Sequence, residues 1–166
     1  IYSLSIGQGE LLVTPLQMAN LGAILANRGY YFTPHLVKKV GNKSLDFGQK
    51  KSVDIDTSHF DSVLDGMQAL VSVPGSRAYI PGLVFCGKTS TVENSQGLDH
   101  SGFMGFAPRK DPKIAIAVYV ENAGWGARAA LSTASLIIEK YVNGSVKKKW
   151  LENYVLKGNF QDAKPK

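Results

Sequence analysis

The polar and apolar positions of this chain follow two rhythms, one helical and one alternating. Leu16, Ala19, Leu21, Ala23, Ile24, Leu25 and Ala26 leave little polar face, so a helix here is expected to be buried. Its start is written in Thr14-Pro15-Leu16-Gln17: Thr14 caps, Pro15 suits the first helical position and Gln17 completes a capping box. Gly29 is its expected end, at the left-handed position past the last turn. A second helix is expected from about Ser58, with Asp61 as box partner. Phe60, Val63, Leu64, Met67, Leu70 and Val71 form its apolar stripe, and Pro74-Gly75 stops it.

Residues 30–40 are aromatic and β-branched and read as extended. Residues 41–56 read as a loop or short hairpin. Three strands follow, at 83–88, 103–107 and 114–120, with 108–112 as the hairpin turn between the last two. The 114–120 strand is apolar on both faces, as a central strand would be. Gly124-Trp125-Gly126 leads into a third helix ending near Val142, and a short helix is expected around Trp150, Leu151 and Tyr154. This order predicts an α+β fold, an antiparallel sheet with helices packed on its faces.

Composition narrows the picture. The chain has 166 residues, 44% of them hydrophobic and 19% charged, which suits one domain with a real core and argues against disorder. The net charge is +6, and Lys147, Lys148, Lys149, Lys157, Lys164 and Lys166 at the end face only Glu152 and Asp162. Residues 1–143 are therefore read as the folded portion and 144–166 as a basic tail. A solvated, frayed terminus is the expectation for it, with an anionic membrane or nucleic acid as the alternative. A nucleic-acid-binding domain would carry lysine and arginine among aromatics on the folded core, so no nucleic-acid partner is expected. Cys86 is the single cysteine and excludes an internal disulfide. No apolar run reaches the roughly 18 residues of a membrane span. Ile1-Tyr2-Ser3 has neither a signal-peptide pattern nor an initiator Met, so the chain reads as excised from a longer one.

Three motif matches compete. Gly82-Leu83-Val84-Phe85-Cys86-Gly87-Lys88-Thr89 fits the P-loop expression, but its middle is bulky and strand-like and no helix follows. Ser145-Val146-Lys147-Lys148 fits S-x-x-K, the nucleophile motif of serine acyl-enzymes, but lies in the basic tail. The third match is Gly87-Lys88-Thr89-Ser90-Thr91, which resembles the K-[ST]-G triad of penicillin-recognising enzymes. Its surroundings strengthen it. Ser5-Ile6-Gly7-Gln8-Gly9 and then Val13-Thr14-Pro15-Leu16-Gln17-Met18-Ala19 are similar to the G-Q-G…T-P-x-Q-M-A stretch of class B penicillin-binding proteins. Gly66-Met67, Val71 and Gly75-Ser76-Arg77-Ala78 resemble that family's helix before the triad strand. His100 to Pro108 and Ile114 to Asn122 resemble its next two strands. The landmarks keep family order over residues 3–142, nearest to the penicillin-binding protein 2 type, the transpeptidases of cell elongation.

The resemblance implies an incomplete part of a penicillin-binding/β-lactamase-like transpeptidase fold, with two strands, the catalytic helices, S-x-x-K and S-x-N lying upstream. The complete protein would be a serine-type peptidoglycan D,D-transpeptidase that crosslinks stem peptides, anchored in the bacterial inner membrane with its domain in the periplasm. The chain alone would be inactive. As catalytic residues, Lys88 would place positive charge beside the nucleophile. Thr89 would bond the terminal carboxylate of a D-alanyl peptide or β-lactam, and Thr91 would give one oxyanion donor through its N–H. Ser90, where the family has glycine, and His100 would touch substrate. His100 bonded to a neighbouring loop is the equal alternative. Trp125 is read as packing, with substrate contact the other reading, and Cys86 as a small buried hydrophobe. His35 and His59 have no partner at metal-ligand spacing, so no metal and no cofactor is expected. Implied partners are peptidoglycan stem peptides, β-lactams and a membrane glycan polymerase. The rival function is a non-catalytic peptidoglycan-binding or interaction module of the same fold. With its family neighbour missing, strand 114–120 is expected to pair with another copy or be covered by a terminal segment.

Overall fold

The computed structural model describes residues 2–158 and 160. In chain order the elements are α1 (Tyr2–Ser5), α2 (Pro15–Ala26), β1 (Tyr30–Tyr31), β2 (Lys39–Val40), β3 (Lys43–Ser44), β4 (Lys51–Ser52), α3 (Ser58–Val71), β5 (Cys86–Val92), β6 (His100–Ala107), β7 (Ile114–Val120), α4 (Ala130–Asn143) and α5 (Lys149–Lys157). The central antiparallel sheet has the order β5-β6-β7, in a register that sets Lys88 against Met104 and Met104 against Ala117. Successive side chains on a strand point to opposite faces, so each strand feeds two apolar layers. Cys86, Met104 and Phe106 meet Ala26 of α2 and Leu64 and Met67 of α3. Phe103, Ala107 and Ile116 meet Ala130, Leu131, Ala134 and Ile138 of α4 on the other face. This is the expected α+β arrangement. No helix among the described residues is long and apolar enough to cross a membrane.

The start of α2 forms as its sequence dictates. Thr14 Oγ1 accepts from the Gln17 N–H at 3.2 Å, and Gln17 Oε1 accepts from the Thr14 N–H at 2.7 Å. Its end differs from expectation. Arg28, at φ 54, takes the left-handed position, and Gly29 is one residue further out. The Arg28 N–H reaches Leu25 O at 3.2 Å and the Gly29 N–H reaches Ile24 O at 2.9 Å, a paired closure that satisfies two carbonyls of the last turn. Nor is the helix buried all round. Only Gly22 and Ala26 are buried, while Leu16 and Leu21 are 62% and 42% exposed. One face lies on the sheet, where Gly22 sits close to the Gly105 carbonyl, and the other faces outward.

Residues 30–40 are not one extended run. Tyr30–Tyr31 pairs with Lys51–Ser52, and Lys39–Val40 forms a hairpin with Lys43–Ser44. In α3 the expected box between Ser58 and Asp61 is replaced. Asp56 Oδ1 accepts the Ser58 N–H at 2.8 Å, and Asp61 pairs with Arg28 at 3.2 Å. Phe60, Leu64, Met67 and Val71 are buried as the stripe requires, whereas Val63 is exposed. The triad strand starts at Cys86 instead of 83, because residues 80–83 turn at Gly82 (φ 77), where the Leu83 N–H donates to Ile80 O. It runs on to Val92, carried by the β-branched Thr89, Thr91 and Val92. β6 correspondingly begins at His100 instead of Phe103. β7 has the expected bounds but is an edge of the sheet among the described residues.

Residues 148–157 do not form a frayed tail. Leu151 is fully buried, and Lys148 Nζ donates to Ser135 Oγ of α4 at 2.5 Å and to Arg77 O at 2.8 Å. Asp162, Lys164 and Lys166 of that basic stretch lie outside the described residues. Burial lowers the Lys148 pKa from 10.5 to about 8, partly opposed by the charge of Glu139. Between pH 8 and 10.5 the unfolded chain therefore holds a proton that the folded chain has released, so stability rises with pH there. Buried Cys86, raised from 9.0 to about 11, acts in the opposite sense above pH 9. The interval from pH 8 to 9 is thus the window of Lys148. Urea unfolding is expected to give on the order of 1 kcal/mol more stability at pH 9 than at pH 8. Lys148→Met should abolish the rise, and an unchanged slope in that variant would refute the assignment.

Candidate active site

The site is built on β5 because a pair of glycines lets an aromatic ring lie against the ladder. Gly87 and Gly105 face each other in register. A Cβ on Gly87 would stand 2.2 Å from Phe103 Cζ, and one on Gly105 would stand 2.4 Å from Cys86 O. Lys88, next along the strand, is exposed, as are Ser90 and Thr91, while Thr89 is half-buried. Alternation sends the Lys88 and Ser90 side chains to the face of α2 and α3, and those of Thr89 and Thr91 to the face of α4. The peptide groups of Thr89 and Thr91, two residues apart, point to the same side of the strand. With β6 on one side only, β5 presents alternate N–H and C=O groups on its outer edge.

Lys88 Nζ donates to Thr89 O at 2.8 Å, which folds the ammonium back over its own strand. Ser90 stands opposite Gly102, and a Cβ on Gly102 would fall 2.1 Å from Ser90 Oγ, so the hydroxymethyl group occupies space that this glycine leaves open. Thr91 Oγ1 accepts the Gly126 N–H at 3.1 Å. Lys88, Thr89, Ser90 and Thr91 thus share one strand edge. His100 does not join them closely. It stands across from Val92, four residues beyond Lys88, or roughly 13 Å along the strand. Its Nδ1 accepts the Asn122 N–H at 3.0 Å, and its ring lies 5.6 Å from that of Tyr119. His100 is thus bonded to the turn that follows β7.

Several contacts around the site join residues that the sequence alone does not bring together. Buried Ser101 donates from Oγ to Trp125 O at 3.0 Å and accepts the Ala130 N–H at 3.0 Å. Asn94 Nδ2 donates to Asn122 Oδ1 at 2.7 Å. Gln8 Oε1 accepts the Glu93 N–H at 3.4 Å, which brings the Gly7-Gln8-Gly9 landmark to the end of β5. Trp125, held at its carbonyl by Ser101, is 66% exposed.

The competing motifs lose their geometry. β5 continues through Lys88 and Thr89, where a P-loop would begin a helix. In Ser145-Val146-Lys147-Lys148 the last lysine is committed to Ser135 and Arg77 O. Cys86 is buried with its thiol toward Leu64 O at 3.6 Å, and burial pushes its pKa up to about 11, so it is no nucleophile. A cleft of about 750 Å3 opens at the other end of the sheet, lined by Arg28, Gln68, Val84, Pro108, Arg109 and Lys110. Its guanidinium groups are paired with Asp61 and Asp65, and none of the triad residues reaches it. Among the described residues no three His, Cys, Asp or Glu side chains gather to hold a metal.

Comparison with known proteins shows the family and the fold. The family description "penicillin binding protein transpeptidase domain" matches residues 1–142. The peptidoglycan D,D-transpeptidase MrdA of Haemophilus influenzae is 31% identical over 165 residues, covering 85% of this chain and 25% of the relative. The imipenem acyl-enzyme of penicillin-binding protein A from Mycobacterium tuberculosis superposes with a TM-score of 0.72 at 28% identity, over 84% of this chain and 33% of that one. A peptidoglycan synthase complex that coordinates polymerization and crosslinking matches with a TM-score of 0.73 at 28% identity, over 87% and 26%. The chain spans about a quarter of the length of the curated relative.

Proposed function

The chain belongs to the penicillin-binding protein transpeptidase family, and from that premise we propose that it is the triad-bearing part of a peptidoglycan D,D-transpeptidase. The observation that carries the proposal is Lys88-Thr89-Ser90-Thr91 on the exposed edge of β5, backed by Gly87 and Gly105. In the complete protein an upstream serine Oγ attacks the carbonyl of the D-alanyl-D-alanine bond. The C–N bond breaks, D-alanine leaves with a proton on its amine, and an acyl-enzyme remains. An acceptor amine then attacks the ester, forms the crosslink and returns the proton to the serine. Lys88 supplies positive charge beside the serine and the incoming peptide. The Thr89 hydroxyl holds the terminal carboxylate, and the Thr91 N–H donates to the oxyanion. Ser90 narrows the place where the family has glycine.

Stem peptides and β-lactams are the ligands of this reading. A membrane glycan polymerase is its macromolecular partner, supported by the match to the synthase complex. The complete protein is membrane-anchored with this domain in the periplasm. Residues 1–143 are the transpeptidase portion and 144–166 an appended basic segment whose first part docks as α5. The experiment is intact mass spectrometry with a labelled penicillin. A protein holding the whole transpeptidase domain should gain one adduct, and the 166-residue chain none. No adduct on the whole domain would favour the non-catalytic module, the reading that Ser90 at the glycine position supports. An adduct on the short chain that vanishes in Ser145→Ala would restore the rejected S-x-x-K match.

The outer edge of β7 has no strand partner among the described residues. Unpaired backbone groups cost about 1–3 kcal/mol each when buried, and residues 114–120 hold no charge or proline to guard that edge. The 166-residue chain is therefore expected to sediment as a dimer or larger species. A monodisperse monomer with rapidly exchanging β7 amides would refute this.

A further inference from the structure

Two candidate site residues, Thr91 and His100, bond the protein's own backbone away from β5, and His100 does so at the far end of the turn that reaches Thr91. Its Nδ1 accepts the Asn122 N–H at 3.0 Å, which requires that nitrogen to be bare and the proton to sit on Nε2. Asn122 is at φ 53, a left-handed conformation that a non-glycine residue holds only when its surroundings fix it. Two groups fix it: His100 at its N–H, and Asn94 Nδ2 at its Oδ1. The chain then turns through Gly124, at φ 72, whose N–H donates to Asp99 O at 2.8 Å. It arrives at Gly126 directly on the triad strand. A Cβ on Gly126 would lie 2.3 Å from Ser90 O and 2.8 Å from Gly102 O, and the Gly126 N–H holds Thr91 Oγ1.

We propose that His100 is a positioning residue for acyl transfer: by holding the Asn122 N–H it sets the turn 121–126 that bears on Ser90 and Thr91. It acts on the strand edge through this turn and touches no substrate. The proposal rests on the transpeptidase reading for its activity arm, but its structural arm stands without it. Close backbone contact makes the coupling stiff, since the turn cannot shift without moving Gly126 off Ser90 O or pushing the strand.

Two substitutions separate an acceptor from a ring. His100→Phe keeps an aromatic ring beside Tyr119 but cannot accept a hydrogen bond. His100→Asn loses the ring but places a carbonyl oxygen near the position of Nδ1. In the 166-residue chain, hydrogen exchange at Asn122, Gly124 and Gly126 should quicken in His100→Phe and stay near wild type in His100→Asn. Asn94→Ala, which frees the same turn from its other support, should give the pattern of His100→Phe with the imidazole intact, and covers the case in which the Phe variant misfolds. In the protein with the whole transpeptidase domain, penicillin acylation should fall about three- to tenfold in His100→Phe and be restored in His100→Asn. Equal acylation and exchange in all variants would overturn the proposal. So would an equal loss in His100→Phe and His100→Asn, which would mean that the ring itself contacts substrate. If the wild-type domain takes no penicillin, the transpeptidase reading fails, and the exchange data still decide the role of His100.

Discussion

Lys88→Ala and Thr89→Val, each made in the protein with the whole transpeptidase domain, are expected to slow acylation by penicillin about tenfold to a hundredfold. A hydrogen bond to a charged group is worth about 1.5–3 kcal/mol, and about 1.4 kcal/mol is a decade in rate. Thr89→Val keeps the β-branched shape that suits β5 and removes only the hydroxyl, so a slower rate reports the lost carboxylate contact. Lys88 is exposed, and its ammonium caps Thr89 O, an interaction the truncated variant replaces with water at little cost to folding. Cys86→Ala is the control. It lies two residues before Lys88 on the same face, but its thiol is buried against Leu64 and kept protonated by that burial. Its loss should lower stability and leave the acylation rate unchanged. Stopped-flow acylation decides the matter, and a wild-type rate in Thr89→Val would remove the carboxylate-anchor role.

These residues were legible because the information is local. Lys88 to Thr91 form one string on one strand, and the Thr14–Gln17 cap and β7 are likewise specified within a few neighbours. What escaped is set by partners distant in sequence. His100 meets Asn122 across 22 positions and Thr91 meets Gly126 across 35, and no periodicity encodes either pairing. The limits of β5 escape an apolar pattern because its second half is polar; β-branched Thr89, Thr91 and Val92 suit the strand, and pairing with β6 completes it. For α2, an apolar pattern on all sides predicts burial on all sides, yet within this chain only one side meets the sheet. In α3 no side chain caps the helix at Thr57: Asp56 accepts the Ser58 N–H, and Asp61, the expected box partner, pairs instead with Arg28 across 33 positions.

Gly87→Ala should destabilise the chain by about 1–3 kcal/mol, the usual cost of adding a methyl group to a filled site. At this size each kcal/mol corresponds to roughly 2–4 °C in the melting midpoint. The added Cβ would stand 2.2 Å from Phe103 Cζ and 2.6 Å from Cε2, and Met104 O lies 3.3 Å away. The ring has little room to retreat. It is 3% exposed, belongs to the apolar layer beneath α4, and also covers Gly105, whose own Cβ would lie 3.0 Å from Cζ. The strain must therefore pass into β5, beside Lys88, and acylation by the whole domain should fall along with stability. Gly66→Ala calibrates the effect. Gly66 is exposed within α3 and has no atom within 4 Å of its would-be Cβ, so alanine there should stabilise by about 0.5–1 kcal/mol through helix propensity. Phe103→Leu supplies the mechanistic check, because it removes the ring edge that the new methyl group strikes. In Gly87→Ala/Phe103→Leu the total loss should be smaller than the sum of the two single losses by about 0.5 kcal/mol or more. Strict additivity in thermal or urea unfolding would show that Phe103 is not what demands glycine at position 87.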